Sequence, residues 1–137
     1  MAMLRGWRVG LAAVLVAMCV ATTAGTTHAA TRQYAGVTIT STGGATVANA
    51  SVACAPSFTY LIVGLAMSYA AGVTIEVTPP GGVAQVVATT IGPSIYVPAF
   101  LASCPAAGSV IGVVDNSTGA TAGTGTISSY TPFLAIP

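Results

Sequence analysis

Val73-Thr74-Ile75-Glu76-Val77-Thr78-Pro79-Pro80-Gly81-Gly82 decides how the rest of the chain reads. Val73, Ile75 and Val77 recur at every second position, so one face of an extended strand is apolar while Thr74, Glu76 and Thr78 turn to water. β-Branched side chains suit the pleated backbone better than a helix. The Pro-Pro-Gly-Gly block then removes backbone donors and supplies a turn, which ends the strand firmly.

The same signature recurs on both sides. Val37 and Ile39 alternate with Thr38 and Thr40, Ser41 to Gly44 reads as a turn, and Thr46 to Ala53 makes a second run. Phe58 to Val63 is a continuous apolar run ending at Gly64. After the Pro-Gly block come Val83 to Thr89 and Ser94 to Leu101, split by Gly92-Pro93. Gly108 to Val114, the turn cluster Asp115 to Gly119, and Thr121 to Ser128 complete the series. No long stretch keeps a helical period. Phe58 to Ile75 carries no charge and by hydropathy alone reads as a membrane helix, but Gly64, Gly72 and Ser68 interrupt it and β-branched residues flank it. Two buried strands joined by a loop over Leu65 to Ala71 account for it better. Seven to eight strands at this spacing predict an all-β fold of two packed sheets.

Residues 1–30 read as a secretory signal: a basic start with Arg5 and Arg8, an apolar core from Val9 to Val20, and a small-residue tail with cleavage expected after Ala29 or Ala30. A core this short falls below the roughly 20 residues that span a bilayer, so membrane attachment is expected only through an uncleaved signal. Residues 31–137 then form a single domain, secreted or at the cell surface. Processing removes Trp7, His28 and Cys19, leaving Cys54 and Cys104 as an even pair in an oxidising compartment, which reads as one disulfide.

The mature region keeps three charged side chains, Arg32, Glu76 and Asp115, against an average charged fraction of roughly 25%. This scarcity limits function more tightly than any motif. With no histidine after the signal, neither a Ser-His-Asp arrangement nor a histidine metal site can be assembled, and no cofactor or metal is expected. Glu76 alternates to the wet face of its strand, and Asp115 opens a turn whose backbone amides it can bind, so a carboxylate pair for glycoside cleavage is not expected. One cation near the start of the domain excludes nucleic-acid binding. No catalytic residue is assigned.

What remains is surface chemistry. Among Tyr34, Tyr60, Tyr69, Tyr96 and Tyr130, Tyr69 stands out because it falls in a loop beside Met67. The apolar segment 130–137 carries Tyr130 and Phe133, and either folds back as an edge cover or adds as a strand to a neighbouring subunit. Tyr69, Met67, Tyr130 and Phe133 are the candidate ligand or interface contacts. Asn49-Ala50-Ser51 and Asn116-Ser117-Thr118 match the glycan acceptor pattern.

From about Tyr60 to Ser128, the order of Gly64, Ala71-Gly72 before a strand, Gly108 opening a strand, and Asp115-Asn116-Ser117-Thr118-Gly119 before the last strand resembles the immunoglobulin-like β-sandwich modules of exported bacterial proteins. It is also similar, more distantly, to the actinomycete apoproteins that sequester enediyne chromophores in the neocarzinostatin manner, although those carry two disulfides. The resemblance implies a sandwich without catalytic residues that serves adhesion, spacing, filament assembly or ligand binding. The expected function is a non-catalytic structural or adhesive module whose partner is itself or a cell-surface polymer. The alternative is a carrier holding an apolar small molecule or carbohydrate in a cleft between the sheets, near Tyr69 and Met67.

Overall fold

The computed structural model describes residues 31–134, with side chains placed for residues 32–132. Residues 1–30, on which the expected secretory signal falls, the Phe133 side chain and residues 135–137 lie outside the described residues. Nine strands follow one another: β1 (Thr31–Thr40), β2 (Thr46–Cys54), β3 (Thr59–Leu65), β4 (Val73–Thr78), β5 (Gln85–Thr89), β6 (Tyr96–Leu101), β7 (Val110–Asp115), β8 (Thr121–Thr126) and β9 (Thr131–Leu134). No α-helix occurs among the described residues. The uncharged stretch Phe58 to Ile75 divides into β3, a loop and the start of β4, as its glycines and β-branched residues require.

The two-sheet sandwich expected from strand spacing is not what forms. The strands make one continuous antiparallel ladder in the order β5-β4-β7-β8-β1-β2-β3-β6, curled into a nearly closed eight-stranded barrel, with β9 pairing β1 off this path. The join that unites the would-be halves is Thr40 of β1 opposite Thr124 of β8. Two glycines make it sterically possible. A Cβ built at Gly125 would lie 2.5 Å from the Thr38 carbonyl oxygen, and one at Gly123 2.8 Å from that of Thr40. Only a strand without side chains at these positions lets the β1 backbone pass so close.

Alternation sets the inside of the barrel. β4 buries Val73, Ile75 and Val77, β3 buries Leu61 and Val63, and β7 buries Ile111 and Val113; Ile39, Val52 and Ile127 are also fully enclosed. Burying each such side chain contributes on the order of 1.5–3 kcal/mol before conformational entropy is charged against it. Cys54 at the end of β2 is joined to Cys104, in the loop after β6, with Cα atoms 5.6 Å apart. Because β3 lies between β2 and β6, the bridge straddles that strand and ties its two neighbours together.

At the other end of the barrel a polar clasp holds the turns. Gly72 adopts φ +80°, and a Cβ there would lie 2.3 Å from the Thr90 carbonyl oxygen. Asn116 Nδ2 donates to the carbonyls of Thr90 (2.8 Å) and Ala71 (3.3 Å), while its Oδ1 accepts from the Thr74 hydroxyl at 2.7 Å. The Asn116 backbone N–H donates to the Gly72 carbonyl at 3.1 Å. One amide thereby fastens the β4 entry, the end of β5 and the β7–β8 turn.

Candidate functional site

The outer face of β1, β2, β3 and β6 is the least ordinary surface of the molecule. In β6, Val97 and Ala99 point inward, which turns Tyr96, Pro98 and Phe100 out. In β3, Leu61 and Val63 point inward, which turns Tyr60, Ile62 and Gly64 out. The register sets Tyr60 opposite Phe100, Ile62 opposite Pro98 and Gly64 opposite Tyr96, and directly opposed residues share a face. Phe100 is 85% exposed and Tyr96 67%. Pro98 fits here because β6 is an edge strand, where a missing N–H leaves no ladder bond unmade.

Neighbouring groups extend this face. Phe58 stacks on Tyr60 with ring centroids 5.8 Å apart, and the Arg32 guanidinium lies 5.9 Å from the Phe58 centroid. The Tyr34 hydroxyl and Ser51 Oγ share a hydrogen bond of 3.1 Å. The Tyr96 ring passes over Gly64, close enough that an added Cβ would touch it at 3.6 Å; part of its role is therefore to shield a bare backbone. Asn49, Ser51, Ile62, Gly64 and Tyr96 line a shallow depression of about 360 Å³. It offers an aromatic wall, an aliphatic floor, an amide and a hydroxyl. Among the described residues, Arg32, at one end of the face, is the single ionised side chain near it.

The residues singled out from sequence have other placements. Met67 is 61% exposed, whereas Tyr69 is half-buried and packs against the core, so the two do not frame a cleft between sheets. Tyr130 is also half-buried; its hydroxyl donates to the Pro105 carbonyl, and burial pushes its pKa above the ordinary phenol value. Phe133 falls in β9, which pairs β1 of the same chain. Asn49 is exposed on the outer face, while Asn116 spends its side-chain amide on Ala71, Thr90 and Thr74.

The carboxylates stay apart. Glu76 faces outward opposite Gly112, whereas Asp115 lies opposite the inward-facing Val73 and its Oδ1 accepts from the Ser117 amide (2.9 Å) and hydroxyl (2.8 Å). Among the described residues, no group of three or more His, Cys, Asp or Glu side chains converges on a common point.

Phe58 and Phe100 went unmarked in the sequence because aromatics within apolar runs read as core. The phase of the alternation was the available signal: once Val97 and Ala99 are assigned inward, Phe100 must point out. No protein-family model matches this chain, and neither the curated proteins nor the solved structures contain a significant match to it. The immunoglobulin-like resemblance thus rests on the quoted residues, and the barrel replaces the sandwich it implied.

Proposed function

We propose that the protein is a non-catalytic, extracytoplasmic adhesive module that holds an uncharged polymer, carbohydrate above all, against the outer face of β2, β3 and β6. The observation that carries this reading is the opposed series Tyr60–Phe100, Ile62–Pro98 and Gly64–Tyr96, bordered by Asn49 and Ser51. Aromatic faces cover the apolar C–H faces of sugar rings, and an amide with a hydroxyl meets sugar hydroxyls without requiring charge. Support for an extracytoplasmic site comes from the Cys54–Cys104 disulfide, because such bonds persist in oxidising compartments. The non-catalytic part is supported by the separation of Glu76 from Asp115 on opposite faces.

Co-sedimentation with insoluble polysaccharides, run beside analytical ultracentrifugation, tests the reading. Binding is expected to weaken about tenfold in Tyr96→Ala and again in Phe100→Ala, each losing an exposed aromatic anchor worth about 1.4 kcal/mol. It is expected to change little with added salt, since Arg32 at the margin is the single charge among the described residues near this face. A protein that binds none of the polymers and stays monomeric at high concentration overturns the proposal.

A further inference from the structure

At the rim opposite the Cys54–Cys104 bridge, the β3–β4 loop (residues 66–72) and the β5–β6 loop (residues 90–95) rise side by side. They are fastened to each other at both roots. The Leu65 N–H donates to the Ile95 carbonyl at 2.8 Å; at the far root the Thr90 N–H donates to the Val73 carbonyl and the Val73 N–H to Thr90 Oγ1, both at 2.9 Å. Between these anchors Ile91 is 98% exposed and Met67 61%, with Ala70 and Pro93 exposed beside them. We propose that this twin-loop tip docks the domain on a lipid surface, Met67 and Ile91 reaching past the headgroups.

Neither loop contains a charged residue. Their polar side chains are largely engaged within the protein: Ser94 Oγ donates to the Tyr96 carbonyl at 2.8 Å, Thr90 Oγ1 accepts from Val73, and Tyr69 packs against the core. Leaving water therefore strands few polar groups, while it removes two large apolar side chains from solvent. On the adjoining β7–β8 turn, Asp115 Oδ1 is held by the Ser117 amide and hydroxyl, so the nearby carboxylate is tied back by its own turn.

The same features set the depth and the partner. Loop backbone carries amides that hydrocarbon cannot satisfy, so the side chains enter the boundary between headgroups and acyl chains while the backbone stays among the headgroups. A second copy is a poorer occupant. Two large side chains on a projecting tip fall well short of the roughly 800 Å² per partner that stable protein pairs bury, whereas a fluid lipid surface needs no matching shape. The sequence pointed to membrane attachment only through residues 1–30; here the folded domain supplies a contact of its own. Ile95, at the loop root, lines the depression beneath Tyr96 and is not counted in the tip.

The test uses the oxidised full chain and phosphatidylcholine vesicles, with and without brominated acyl chains. Tryptophan replaces Ile91 or, as control, Val83, an aliphatic residue 81% exposed on the β4–β5 turn at the opposite rim; wild type supplies the Trp7 background. Emission from Ile91→Trp is expected to shift to the blue and to be quenched by the brominated chains, and that from Val83→Trp to do neither. Adding Met67→Ser to Ile91→Trp is expected to raise the lipid concentration for half the shift about fivefold or more. Both are exposed positions where substitution leaves the fold intact, which circular dichroism checks. Added salt and Tyr96→Ala are expected to leave the shift unchanged. An unquenched Ile91→Trp, an equal response from Val83→Trp, no effect of Met67→Ser, or a wild-type dimer in sedimentation that Met67→Ser dissociates each overturns the proposal. Polysaccharide binding that survives Met67→Ser, and a lipid response that survives Tyr96→Ala, keep this proposal and the adhesive face separately testable.

Discussion

Gly125→Ala tests the β1–β8 join that makes one continuous sheet of the strands. The new methyl would lie 2.5 Å from the Thr38 carbonyl oxygen and 2.6 Å from Val37 Cγ1, where ordinary contact begins near 3.4 Å. Relief requires β1 to retreat by about 0.9 Å, but Val37 and Thr38 are held in register against Ala50 and Asn49 of β2. Overpacking typically costs 1–3 kcal/mol, and an obstacle made of backbone puts this site at the upper end, about 3 kcal/mol. Reduced freedom of the unfolded chain returns about 0.4–1 kcal/mol, leaving a net loss of about 2–3 kcal/mol. For a domain of this size that lowers the melting temperature by about 10–15 °C. Gly36→Ala in β1 is the internal control, since its added methyl meets nothing closer than 3.8 Å and should be neutral or stabilising by up to about 1 kcal/mol. Far-ultraviolet circular dichroism melts of the three proteins, with the disulfide intact, measure the difference. A Gly125→Ala melt within about 2 °C of wild type would refute the close passage of β1 over β8, and with it the single-barrel architecture.

Asn116→Ala should cost about 2–4 kcal/mol in urea unfolding, because it strands the Ala71 and Thr90 carbonyls and the Thr74 hydroxyl together. Replacing Cys54 and Cys104 by Ala should lower stability by about 4 kcal/mol through a loop whose ends are 50 residues apart, a loss that reduced wild type should reproduce. The raised Tyr130 pKa has a definite sign: the folded state holds the phenol proton more tightly, so its stabilising contribution is complete below the unfolded value near 10.0 and disappears as pH rises through the folded value. Denaturation midpoints should therefore fall above about pH 10 in wild type and fall less steeply in Tyr130→Phe, with ultraviolet difference absorbance reporting the ionisation.

The strands were readable because period-two alternation is a local property. Val73, Ile75 and Val77 face inward as their spacing requires, and Pro79 to Gly82 ends β4. Closure was not readable by that route, since sandwich and barrel demand the same inward and outward phases and differ only in which strands pair. The clue was chemical: Gly123 and Gly125 alternate in Thr-Ala-Gly-Thr-Gly-Thr, and paired glycines within a strand mark a place where another backbone comes close. The disulfide was legible because two cysteines allow one connectivity. The candidate surface was half legible. Tyr60 and Tyr96 were noted as tyrosines, but their neighbours Phe58 and Phe100 became visible only once the β3–β6 register showed which rings share a face. Tyr69 shows the converse: its loop position suggested exposure, yet the loop folds it onto the core.

The pairing of β9 with β1 has a practical consequence. Since β8 occupies the Thr40 end of β1, the final strand lies beside the earlier part of the first, and the domain enters and leaves at nearby points. Such a ring of strands has no obligatory beginning. A short peptide joining the two ends, with new ones opened at the glycine turn after Pro80, should yield a circular permutant that keeps the same strand pairings and carries fused cargo elsewhere on the same rim.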